Sequence, residues 1–167
     1  MIVEHFLLPS GPVIPNSPDL PVIIYRQAVA AEGDHAIAFE TAFKRNGWQG
    51  TWRNGIYDYH HYHNGAHEVL GIARGNGEVM LGGPGGMEFA VTAGDCLILP
   101  AGTGHCLLSA SSDFLVIGAY PPGQRADIQT AAADEEGLKA IRNCPLPDHD
   151  PVDDVERSLA ELWRRTK

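Results

Sequence analysis

The sequence predicts an all-β fold with a few flanking α-helices, and three observations carry that prediction. Residues 48–120 are a run of short apolar segments parted by glycine-rich turns. Five prolines, at positions 9, 12, 15, 18 and 21, exclude a helix from the N-terminal segment. Helical periodicity is confined to one stretch before this run and two after it. Many short strands with turns at close intervals fit a sandwich, barrel or jelly roll.

Residues 1–32 read as an extended arm, with a strand at residues 20–25 (LPVIIY). The arm either lies along the barrel or crosses to a neighbour. Residues 34–46 read as a helix. Asp34 suits its N-cap, and Ala36, Phe39 and Phe43 form an apolar stripe at helical spacing. Lys44 and Arg45 complement the dipole at its end, and Gly47 stops it. Gly75-Asn76-Gly77 is a hairpin signal, and residues 82–86 (GGPGG) form a second turn. The second turn lacks the Lys-Ser/Thr pair and the following helix of a phosphate loop, so a plain hairpin is the better reading. Strands are expected at 87–92, 96–99 and 114–119. A short helix is expected within 131–141. Asp153 or Asp154 would cap a final helix carrying Val155, Leu159, Leu162 and Trp163 on one face.

The chemistry lies in a two-part pattern. Its first part is Gly55, His61, His63, Glu68 and Gly75; its second is Gly94, Pro100, Gly102 and His105. Alternate side chains of a strand point the same way, so His61 and His63 can reach one ion. Glu68 follows the Asn64-Gly65 turn, and His105 follows the turn at 100–104. Three imidazoles and a carboxylate suit one divalent transition metal: Fe, Mn, Ni, Co or Zn. Four protein ligands leave room on such an ion for substrate, water or dioxygen.

The pattern resembles the two motifs of the cupin superfamily, G-x5-H-x-H-x3–4-E-x6-G and G-x5-P-x-G-x2-H-x3-N. Every position of the first matches. The second departs only at its end, where Ser109 replaces an asparagine that is not a ligand in the family. Ile14-Pro15-Asn16, residues 52–62, the PAGTGH run and residues 118–121 are also similar to the YjlB-like group of bacterial cupins. The resemblance implies a cupin jelly-roll β-barrel with metal ligands His61, His63, Glu68 and His105. It also implies a homodimer, since small cupins commonly pair. Within one domain, residues 1–49 would form the arm and helix, 50–120 the jelly-roll core, and 121–167 a C-terminal loop and helix extension.

Neighbouring residues admit both functional and plain readings. His60 has the opposite parity to His61 and should face away. His67 adjoins Glu68 and is a candidate acid–base group. Tyr57 and Tyr59 share the parity of His61 and should line the cavity; packing is the favoured role, with Tyr59 the candidate proton donor. Arg74 would mark an anionic substrate if it pointed inward, but a solvated arginine is the favoured reading. Cys96, Cys106 and Cys144 are an odd set with no secretory leader, which reads as buried thiols in a reducing cytoplasm rather than a disulfide framework.

At 167 residues the chain fits one domain, burying roughly 70% of its unfolded surface. A formal charge of −9 argues against nucleic acid as a partner, and no apolar run approaches a membrane span. The expected partner is a small molecule. The leading expectation is a metal-dependent enzyme acting on a small oxygenated metabolite, a dioxygenase with Fe(II), an isomerase or lyase with Mn, Ni, Co or Zn. The alternative is a binding or sensing module without catalysis. An acid–base group facing the cavity would favour the enzyme, and an all-apolar cavity the module.

Overall fold

The computed structural model describes residues 1–30, 32–152 and 158–164. Among the described residues, nine strands and three helices follow one another: β1 Ile2–Phe6, β2 Val22–Arg26, α1 His35–Arg45, β3 Gln49–Asn54, β4 Glu68–Arg74, β5 Asn76–Leu81, β6 Met87–Thr92, β7 Cys96–Leu99, β8 His105–Ala110, β9 Leu115–Tyr120, α2 Glu135–Asn143 and α3 Ser158–Leu162. The strands form two antiparallel sheets, one of order β1-β2-β7-β4-β9-β3 and one of order β6-β5-β8. This is the jelly-roll arrangement that the pattern predicts.

Alternation along the strands divides the core in two. Leu70, Ile72, Leu97, Leu99 and Val116 of the larger sheet pack against Val79, Leu81, Phe89 and Val91 of the smaller one. The opposite face of the larger sheet presents Val69, Ala73, Cys96, Ile98, Ile117 and Ala119 to Phe39 and Phe43 of α1, with Leu159 and Trp163 in the same cluster. The central strands are therefore buried on both faces. This is why they read as continuous apolar runs rather than alternating ones.

Helix α1 starts where Asp34 accepts a hydrogen bond from Ala36 N (2.9 Å). The arm adds to the larger sheet: β1 pairs with β2 from Ile2↔Arg26 to Phe6↔Val22. Gly75-Asn76-Gly77 is a corner rather than a hairpin, because β4 and β5 on either side of it belong to different sheets. The turn at 82–86 is the plain hairpin joining β5 to β6. Helix α2 begins later than its apolar pattern suggests, because Asp134 caps it by accepting from Gly137 N (2.7 Å). Asp153, Asp154 and Val155 lie outside the described residues.

Candidate metal centre

Both sheets and one loop supply the site. Glu68 opens β4 and pairs with Leu99; with Leu70 and Ile72 it forms the inward row of that strand. His105 opens β8 on the facing sheet. The chain between β3 and β4 forms no named strand, yet it runs extended beside β8 at His61. His61 N donates to His105 O (3.3 Å), and His105 N donates to His61 O (3.0 Å). Alternation then sends His61 and His63 to one side and buries Tyr62 on the other, with Ile14, Ala101 and Ile141. The turn before His105 needs glycine at 102, which sits at φ 91° and whose Cβ would lie 2.7 Å from Asn16 O.

The decisive geometry is at the imidazoles. His61 Nδ1 donates to Tyr59 O (2.9 Å), His105 Nδ1 to Thr103 O (3.0 Å), and His63 Nδ1 to Asp127 O. A carbonyl only accepts, so each Nδ1 carries the proton and each neutral ring keeps its lone pair on Nε2. One ligand atom from each of the three histidines lies within 4.8 Å of the others. Glu68 Oε1 lies 3.2 Å from His105 Nε2 and 3.4 Å from His63 Nε2. Three lone pairs and a carboxylate converge, which is repulsive unless a cation or protons occupy the middle. The donor set fits one divalent transition metal, with the second-layer carbonyls fixing the tautomers.

The electrostatics agree. Burial, reinforced by His105, pushes the His61 imidazole down to about 4, so it stays neutral at physiological pH. Burial also opposes charge on His63, but Glu68 outweighs it and raises that imidazole above its ordinary value. For Glu68, burial favours the neutral acid; contacts with His105 and His63 overcome it and hold the carboxyl well below the usual range.

The four residues lie in a cavity of about 340 Å³, lined also by Trp52, Ile56, Tyr57, Leu70, Tyr120, Ala126 and Ile128. Tyr57, 47% exposed, lines the cavity as expected; Tyr59, 42% exposed, is not among its lining residues and instead stacks on Tyr57 beside the His61 ring. His67 is elsewhere. It precedes Glu68 and so faces the other way: its Nδ1 accepts from Ala101 N (2.9 Å), and its ring packs on Trp163 at 4.8 Å. His60 stands outside the histidine group. A register shift after Ile72 leaves Arg74 exposed, the solvated reading. Ser109 is exposed on β8, so the one motif departure does not touch the site. The three cysteines are buried thiols, none of them in a disulfide.

Two parts of the site escape sequence reasoning. Tyr120 ends β9 on the inward row of Val116 and Gly118, one residue beyond the predicted strand. Its hydroxyl accepts from Trp52 Nε1 (2.9 Å) and faces Glu68; burial first, then the Glu68 charge, push it well above the ordinary phenol range. The other part is the strap at residues 124–129. The Asp127 carboxylate accepts from Asn64 N (2.9 Å), Gly65 N (3.0 Å) and Gln129 Nε2 (2.9 Å), while its carbonyl holds His63. Strand alternation could have flagged Tyr120; no local signal marks Asp127.

Comparison with known proteins bears on this geometry. The family described as Cupin domain matches residues 52–117. The uncharacterised protein YjlB of Bacillus subtilis (strain 168) is 37% identical over 162 residues, covering 96% of each chain. The chain belongs to the cupins, in the group of YjlB. Among solved structures it is similar to a DUF861 family protein of Thermotoga maritima (18% identity, TM-score 0.36, 58% of this chain and 96% of that one). It is also similar to acireductone dioxygenase from Bacillus anthracis with a cadmium ion in its active centre (16% identity, TM-score 0.36, 57% and 66%). No described helix is long and apolar enough to cross a membrane.

Proposed function

We propose that this cupin is a metal-dependent enzyme in which His61, His63, His105 and Glu68 hold one divalent transition metal. The substrate would be a small oxygenated metabolite entering the cavity. The observation that carries the reading is the convergence of three Nε2 lone pairs beside a buried carboxylate, each imidazole locked by a backbone carbonyl. When bound, the metal would polarise a substrate oxygen or, as iron, activate dioxygen.

This chain's own residues supply the rest. The carbonyls of Tyr59, Thr103 and Asp127 fix the orientation of the rings. Glu68 supplies negative charge that offsets the cation. The Tyr120 hydroxyl, held by Trp52 and kept protonated, is a hydrogen-bond donor facing the cavity. A polar group aimed at the metal-binding end, in a cavity that is not all apolar, supports the enzyme reading. Leu70, Ile56 and Ile128 give the cavity apolar walls.

Elemental analysis of untagged protein, purified without chelators or nickel resin, tests the reading. About one equivalent of metal per chain is expected. His61→Ala and His105→Ala should lose it while retaining the β-sheet circular dichroism. Full occupancy in both variants would sink the assignment. Iron would direct substrate screening to oxygen consumption; manganese, nickel, cobalt or zinc would direct it to isomerase and lyase reactions.

A further inference from the structure

We infer that the cavity takes a ligand with an oxygen-donor head at the histidine cluster and a planar, uncharged, aromatic body toward the mouth. This rests on the metal-site reading for the head. The case for the body stands on the cavity walls.

Three observations carry it. The first is the mouth. The Tyr57 and Tyr59 rings stack at 5.0 Å and 16°, yet both remain nearly half exposed, and Tyr57 meets the His61 ring edge-on at 5.2 Å. Ile128, 51% exposed, also lines the cavity. Aromatic and aliphatic surface left open beside a polar cluster matches a ligand with an apolar body.

The second is depth. Trp52, Ile56, Leu70 and Ala126 continue the apolar walls inward toward Glu68 and the histidines. The third is charge. Arg53 is the lone arginine among the described lining residues, and β3 alternation turns its guanidinium to the outer face. There it donates to Glu40 of α1 through Nε (2.9 Å) and Nη2 (2.6 Å). Among the described lining residues, an anionic tail would find no cation free to bind it. A ring would find rings.

Two hydroxamates with the same head and different bodies test the inference, using protein loaded with one equivalent of cobalt(II). Benzohydroxamate should bind about tenfold more tightly than acetohydroxamate, followed by the visible cobalt bands. Tyr57→Ala should lower that preference about fivefold, both affinities being measured on protein that retains one equivalent of cobalt. 4-Carboxybenzohydroxamate should bind more weakly than benzohydroxamate. Equal affinity for the first two, or a preference untouched by Tyr57→Ala, would overturn the aromatic subsite. So would a change of oligomeric state in Tyr57→Ala, which would assign the tyrosines to a subunit contact. If cobalt does not bind, the metal reading fails by itself. The metal-free chain titrated with phenol then reads the subsite through its aromatic proton NMR signals. Shifts confined to Trp52, Tyr57 and Tyr59 support it, and their absence overturns it.

Discussion

Asp127 shows how one side chain outside the ligand set can govern it. Its carboxylate ties down the Asn64-Gly65 turn while its carbonyl fixes the His63 tautomer. Asp127→Ala should weaken metal binding about tenfold, as loss of second-layer support commonly does, with metal stoichiometry still one. Asp127→Asn keeps an acceptor for the two amides and should recover most of the affinity. Competition against a chromophoric chelator measures both. His63 gives a pH dependence with a definite sign. Its folded pKa is raised by Glu68 above the ordinary 6.5. In the metal-free protein its stabilising contribution is complete below 6.5 and is lost as pH rises through the folded value. Metal must displace that proton, so metal affinity should rise with pH across the same window. Titrations at pH 6 and pH 8 check this; equal affinities would show that His63 is already neutral.

Packing of whole strands sets the cavity wall. Trp52 on β3 faces inward and its indole lies across the backbone of β9. A Cβ at Gly118 would meet that ring at 2.1 Å. Gly118→Ala should therefore push the indole off Tyr120, costing roughly 2 kcal/mol by overpacking and lowering the melting temperature by about 5 °C. Thermal unfolding followed at the tryptophan bands reads it. An unchanged melting temperature would mean that the indole has room to move. The arm is placed by equally specific contacts. Buried Asn16 donates to Pro9 O (2.8 Å) and Gly82 O (3.1 Å) and accepts from Gly104 N (3.0 Å), joining the arm to the turn that aims His105.

For the whole molecule, we propose a homodimer. β1 is one of the two outer strands of the larger sheet; Ile2 and Val3 on it, and Met1 and Leu7 flanking it, are exposed. An apolar open edge of this kind favours pairing with a second chain. Light scattering should give twice the mass of one chain, and a monomer at working concentration would refute the proposal.

The sequence by itself determined the strand-rich fold, helix α1 and the histidine cluster, because each rests on local rules. Period-two alternation aims His61 and His63 together, a cap and a stripe define α1, and glycine marks the turns. Only the tertiary structure decided the rest. Sheet membership turned the Gly75 signal from a hairpin into a corner, since a dipeptide cannot say which sheet its flanking strands join. His67 went to the far side of β4 and Tyr120 to the near side because alternation must be counted from a fixed strand register. The Asp127 strap meets His63 across 64 residues of chain. Contacts that far apart leave no periodicity to read, and only folding brings them within hydrogen-bonding distance.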